Sequence, residues 1–502
     1  MGISPTTSRY LYGQGLGMQE HRPQKDSSSK ATTRLLDDVL IEIVDVNGYD
    51  SESHPTDRRM KHDIVTDASH AQLEDGEQCL TVSDRKPSPC KHPQPWELAE
   101  LRSPGLERVS VRAAFAQIYY PKSKTPATST FRAVIQQDAD IRSNRALSHA
   151  MDAVCLAEVG HANQNQAYIH GGAQHYQCAL GMFRRQLQFA INDQKFGSDL
   201  MATCHALMFC QRFAVFGNGD NGSYMHMKGL GNMMSARGLD SFTSEFDKLL
   251  LEDYQHYALR LGMMHRRPVH TGLEKAWAKR ERSSAGPRYF PQMCSLAFHL
   301  PGLLEACDHA CAEIKAESIQ GRAGACARAT ELMAELGGLE TTLQSWLQNW
   351  YSSMEALPYR PVPSRSFLFL KRHMSDKLLD TFPSVLAFPS FASAATHSRF
   401  WACLLLIRST SAELCSAVLP DGKPLATHFH NVTECADDLC LSMAYLCGAE
   451  HHGLAGPASV TGHLTVAFEW YRKIQNRDKM DWCIAIADVV KARGLSSPNL
   501  VT

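Results

Sequence analysis

Apolar residues that return every three or four positions, stripe after stripe, are what most restricts the fold open to this chain. Tyr176, Leu180, Phe183, Leu187 and Ile191 make one such stripe; Phe246, Leu250, Tyr254, Tyr257, Leu261 and Met264 make another. Steps of this size follow the turn of an α-helix and place each set on a single face. No stretch shows the strict apolar–polar alternation of a half-buried strand, and no short internal repeat is visible. The expectation is an all-α protein: a large multi-helix antiparallel domain over residues 106–497, preceded by an N-terminal arm over residues 1–105.

Local signals place the helix ends. Ser198 is expected to cap a helix over 199–216. Residues 217–222 read as a loop. The next helix carries Tyr224, Met227, Gly231 and Met234 and stops at Gly238, a suitable C-terminal cap. Pro268 closes the helix bearing Phe246. Residues 306–337 and 339–357 read as two helices, the second with Trp346 and Trp350 on one face. A linker over 357–366 follows. The last three helices are expected near 393–419, 425–448 and 461–493.

The arm is different. Ser, Asp, His, Lys and Pro are common there and the helical period is poor, so it is expected to be largely disordered: too little apolar surface is available to offset chain entropy. Residues 35–46 interrupt it with mixed apolar and acidic side chains. Two readings stand: a short strand or helix docked on the main domain, or an acidic–hydrophobic segment that engages a coactivator.

Composition narrows the partners. A net charge of −1 supplies no global field for nucleic acid or anionic lipid, so any DNA contact would have to be local. The 16 cysteines are scattered through apolar helical patterns with no secretion signal before them, which fits reduced, buried thiols. The longest apolar run, residues 400–407, falls far short of the roughly 20 residues of a membrane span. No membrane partner is expected.

Several constellations invite chemistry and lose to simpler accounts. Gly217, Gly219 and Gly222 match the spacing of a dinucleotide fingerprint, with Asp240 downstream, but the flanking segments have helical rather than strand period. A turn-rich loop between helices explains them. Asp37-Asp38 and Asp437-Asp438 resemble the acidic pairs with which helical terpene cyclases hold magnesium, yet four positions after the first aspartate stand Ile41 and Leu441, not a third carboxylate. His428, His430, His451 and His452 lie near Cys435, Cys440 and Cys447, but without metal-binding spacing. Cys307 and Cys311 read as thiols on one helix face. The pairs Arg184-Arg185 and Arg266-Arg267 read as solvated faces or ion-pair donors, and residues 58–62 as a weak nuclear-import signal. No Gly-x-Ser-x-Gly elbow occurs. No catalytic, cofactor-binding or metal-ligating residue is therefore assigned, no cofactor is expected, and the expected class is not an enzyme.

Three segments, taken in order, carry a resemblance. The first is Ala146 through Gly160 followed by Tyr176, Ala179 and Leu180. The second is Tyr224 through Gly238, with His226, Gly229, Leu230 and Arg237-Gly238. The third is Asp438-Leu439-Cys440-Leu441-Ser442-Met443-Ala444-Tyr445, then Gly453 to Pro457, Trp482-Cys483 and Arg493-Gly494-Leu495. Smaller echoes are Arg266-Arg267-Pro268 with Leu273 and Trp277, and Leu300-Pro301-Gly302-Leu303-Leu304. Together they resemble the fungal-specific transcription factor domain of zinc-cluster regulators. The resemblance implies a nuclear regulator of transcription, of the kind that controls a secondary-metabolite biosynthetic gene cluster. Its partners would be other regulators or coactivators, with homo- or heterodimers in scope. The six paired cysteines of the family's zinc cluster are missing: the first hundred residues hold only Cys79 and Cys90. DNA would then be reached through a partner or through a zinc-cluster segment outside this chain. The rival expectations are a helical pathway enzyme, such as a cyclase or hydrolase, and a scaffold protein without transcriptional effect.

Overall fold

A computed structural model of the chain describes residues 104–120, 144–213, 216, 219–268, 289–316, 319–419, 426–448, 453–496 and 500. The arm's island at 35–46, the pair Asp37-Asp38, the basic segment 58–62, Cys79, Cys90, Leu273, Trp277 and His451-His452 lie outside these residues. So do the side chains of His428 and His430.

The described residues are all-α apart from one small two-stranded sheet, as the apolar period predicts. Helix α1 (Pro104–Tyr119) opens on proline, whose missing N–H costs nothing in the first turn. Helices α2 (Arg145–Ala162) and α3 (Gln166–Asp193) form a hairpin. The Asn144 side chain caps α2 by accepting from the Leu147 N–H, and Asn165 caps α3 through the N–H groups of Ala167 and Tyr168. The two helices approach closely because glycines stand at the crossing. A Cβ at Gly172 would lie 3.0 Å from both Ala153 O and Ala157 N, and one at Gly160 only 2.8 Å from Ile169 N. Against this hairpin α1 sends in Arg112, whose Nη2 donates to Asp152 Oδ1 at 2.8 Å, both side chains buried.

Helix α4 (Ser198–Cys210) is buried on every side from Leu200 onward. Ser198 opens this helix but is not its cap. Gly197 occupies the cap position, and the Ser198 hydroxyl instead donates to Asp247 Oδ1 at 2.6 Å. Helix α5 (Gly219–Arg237) begins within the expected loop, so Gly219, Asp220, Asn221 and Gly222 are helical. It ends where expected, at Gly238 with φ +80°. The Ser244 hydroxyl caps α6 (Glu245–His265) by accepting from the Asp247 N–H, and the helix stops ahead of Pro268 with Arg266 in the left-handed region.

The next boundary departs from expectation. Helices α7 (Tyr289–Leu296) and α8 (Leu300–Ala316) are followed by α9 (Ile319–Ser352), which runs straight through Gly337-Gly338. A Cβ at either glycine would meet nothing within 4 Å, so no turn or close approach uses them. Packing of Leu336, Leu339 and Leu343 on one buried face outweighs the modest helix cost of glycine. Trp346 and Trp350 do share a face, with ring centroids 5.4 Å apart.

The expected linker is structured. Strand β1 (Arg360–Pro363) pairs antiparallel with β2 (Ser384–Ala387), Arg360 opposite Ala387. Pro361 and Pro363 mask the strand signal in the sequence, and both fit because an edge strand leaves donors unpaired. Between the strands lie the short helices α10 (Leu368–His373) and α11 (Asp376–Leu379).

Helices α12 (Phe391–Val418) and α13 (Ala426–Leu446) match expectation. The final expected helix is two: α14 (Ala455–Lys473) and α15 (Arg477–Lys491), broken where Gln475 takes φ +56° and the Asn476 side chain caps α15. Helix α12 is the hub, packing against α7, α8, α9, α13 and α14. By length and composition alone it could cross a membrane, although its longest apolar run spans only residues 400–407; 56% of its most apolar window is buried within the helical body. The chain's end ties back to the middle. Leu495 bridges Phe213, and the Ser496 N–H donates to Arg212 O at 2.8 Å.

A candidate ligand-binding cavity

Helix faces converge on a cavity of about 650 Å³, within the roughly 300–1,000 Å³ of small-molecule sites. Each contributing helix presents residues one turn apart. Helix α4 gives His205 and Phe209; α6 gives Glu252, His256 and Arg260, with Asp253 and Tyr257 beside them. Helix α12 gives Ala392, Ala395, Thr396 and Arg399, and α14 gives Ala455, Ser459 and His463. The small alanines on α12 and α14 leave the space open, while α1, α7 and α9 close it with Tyr119, Phe290 and Trp350.

Three arginines reach this cavity. Arg212 follows α4, and its guanidinium lies 5.1 Å from the Phe209 ring centroid and 5.3 Å from that of Tyr257. Its Nη1 donates to Tyr257 Oη at 3.1 Å and its Nη2 to the carbonyl of Ala458. Arg260 Nη1 donates to Thr461 Oγ1 at 2.8 Å. Arg399 is only 1% exposed, and its Nε and Nη1 have no hydrogen-bond partner among the described residues. Burial lowers its pKa. A buried guanidinium with two nitrogens lacking hydrogen bonds is costly, so this side chain stands out against the rest of the wall.

The histidines respond to the same environment. Burial, followed by the nearby Arg212, lowers His205 to about 4. Burial, then Arg399, holds His256 and His463 well below the usual histidine range, with Arg260 and Arg212 adding to the effect at His256 and Arg260 at His463. All three are neutral at pH 7. Neither ring nitrogen of His463, nor Nδ1 of His256, nor Nε2 of His205 has a hydrogen-bond partner among the described residues. Glu252 and Asp253, adjacent on α6, are the carboxylates on the wall. The lining therefore sets three arginines against two carboxylate side chains.

The residues weighed in the sequence lie elsewhere. Asp437 accepts from Tyr471 Oη at 2.8 Å and pairs with Lys479 at 2.5 Å, a helix-to-helix tie. Burial, with Glu434 and Asp437 adding to it, pushes Asp438 up to about 6. Cys435 and Cys440 on α13 and Cys447 just past its end are buried, with Cys440 Sγ 3.8 Å from Cys483 Sγ. Among the described residues no group of three or more His, Cys, Asp or Glu side chains could hold a metal ion. Cys307 is fully buried and Cys311 partly so. Arg266 is an ion-pair donor, bidentate to Asp308 at 2.7 and 2.8 Å. Arg184 and Arg185 lie on α3, where Arg185 Nε bonds to the Gly181 carbonyl at 3.3 Å.

Sequence reasoning allows a groove between helices for a small inducer but assigns no residue to it. A readable signal existed: arginine and histidine on otherwise apolar helix faces, as at His205, Arg260, Arg399 and His463. Each is unremarkable alone, and only the fold brings them together.

No protein family, curated protein or solved structure matches this chain.

Proposed function

We propose that this chain is a regulator of transcription of the zinc-cluster type. It acts in the nucleus through its helical domain on a biosynthetic gene set, with DNA contacts supplied by a partner. The observation that carries the reading is where the three resembling segments fall. Gly160 of the first lies at the α2–α3 crossing, where Gly172 also stands. Gly238 of the second ends α5. Gly494 of the third takes φ +77° beside the His161 ring, and Leu495 bridges Phe213. Glycines within the resembling segments thus stand where helices meet or end, which supports the reading. The cavity gives such a domain a place to sense a small molecule.

The rival, a helical enzyme, draws support from the same cavity, because strongly shifted histidines cluster at active sites. It is disfavoured because a general base needs an orienting partner, and His463 has none among the described residues.

Transcript profiling of a strain lacking this gene, against its parent, separates the two. Coordinated change of a small message set, without one accumulating pathway intermediate, is expected. Unchanged transcripts with a single accumulating intermediate would overturn the regulator and favour the enzyme.

A further inference from the structure

We infer that the cavity binds a compact aromatic monocarboxylate, its carboxylate seated on Arg399 and its ring system among the aromatic side chains. Three observations converge. Arg399 is buried on the wall with two donor nitrogens unused, and guanidinium donors match a carboxylate's two oxygens. By formal charge the wall sums to +1, counting Arg212, Arg260 and Arg399 against Glu252 and Asp253 with the histidines neutral. That balance suits one negative charge, and a phosphate monoester with nearly two fits less well. Tyr119, Phe209, Phe290 and Trp350 supply ring faces and edges for the body of the ligand.

The inference deepens the regulatory reading, since such an acid would be the molecule sensed, but its test needs no transcription. The purified full chain is titrated with 2-naphthoate, neutral 2-naphthamide and cationic 2-naphthylmethylamine, with calorimetry as the readout. The naphthoate is expected to bind at least about tenfold more tightly than the amide, a difference of about 1.4 kcal/mol, and the amine more weakly still. Arg399→Met is expected to bring acid and amide within about threefold, with Arg399→Lys between. Ala395→Phe, which fills the cavity beside Arg399, is expected to abolish binding of all three and locates the site even if the arginine variant folds poorly. Equal affinity for acid and amide, acid preference surviving in folded Arg399→Met, or no saturable binding of any probe overturns the inference. If the acid binds but gene deletion leaves transcripts unchanged, the regulatory reading fails while this one stands.

Discussion

Arg260 and Thr461 tie α6 to α14 across the cavity, Nη1 to hydroxyl at 2.8 Å. The bond gives one buried guanidinium a structural task. Arg399, buried as deeply, has no hydrogen bond to Nε or Nη1 among the described residues. Two arginines on one wall thus divide between holding helices together and standing ready for something else, and mutation can tell them apart.

Arg399→Met should stabilise the empty protein. The apolar side chain fills similar volume and removes a buried charge whose desolvation is not offset. A gain of about 1–3 kcal/mol is expected, read as a higher urea midpoint at unchanged slope. Thr461→Val, by contrast, should cost about 1–3 kcal/mol by removing the hydroxyl that accepts from Arg260 Nη1. If Arg399→Met destabilises as much, the guanidinium is a structural strut and not a held-open binding group.

Gly453→Ala should be strongly destabilising. Gly453 sits at φ +54°, and a Cβ there would come within 2.5 Å of Ile118 O and 2.6 Å of Tyr119 O. The next residue's N–H, that of Leu454, donates to the same Ile118 carbonyl at 3.2 Å. Backbone cannot move aside as a side-chain tip can, so a loss above about 2 kcal/mol is expected. Because Tyr119 lines the cavity, the variant should also weaken probe binding. A loss within about 0.5 kcal/mol would mean that α1 yields freely at its C-terminus.

The fold was legible where one stripe decides one helix, and less so where tertiary packing overrides a local signal. Tyr176 to Ile191 and Phe246 to Met264 gave their helices correctly, and Gly238 and Pro268 marked ends as turn chemistry demands. Gly337-Gly338 misled because the buried leucines around them hold α9 continuous. Gln475 hid a break because a left-handed non-glycine carries no sequence flag. Pro361 and Pro363 concealed an edge strand. The cavity could not be read at all from single faces: His205, Arg260, Arg399 and His463 come from four helices, and their meeting depends on contacts far apart in the chain.

Acid should unfold this protein early. His205, His226 and His397 are lowered to about 4, and His256 and His463 well below the ordinary value, in every case chiefly by burial. Each therefore stays neutral in the folded state while the unfolded state takes up a proton below about pH 6.5. Their contribution is fully present above that pH and is lost as pH falls toward the folded values, at about 1.4 kcal/mol per histidine per pH unit. Two carboxyls oppose this. Burial raises Glu158 to about 8 and Asp438 to about 6, so each favours the fold more as pH falls through its raised value. Five groups outweigh two, and the urea midpoint should drop steeply between pH 6.5 and 5. A flat profile over that window would show that water reaches these rings.

Binding of an aromatic acid should draw a proton into the cavity. In the empty protein His463 is held neutral by burial and by the facing Arg399 and Arg260; His256 adds Arg212 to the same set. A carboxylate placed against Arg399 cancels much of the arginines' repulsion of an imidazolium and gives the unpartnered ring nitrogens an acceptor. The histidine pKa then rises on binding, and by linkage the complex holds more protons than its parts. Affinity for 2-naphthoate, itself ionised throughout, should increase as pH falls from 7 to 6, and the calorimetric heat at pH 6.5 should differ between buffers of high and low ionisation enthalpy. The neutral amide should show neither effect. Naphthoate affinity that is independent of pH and of buffer would place the carboxylate away from both histidines, with Arg399 engaged from its other side.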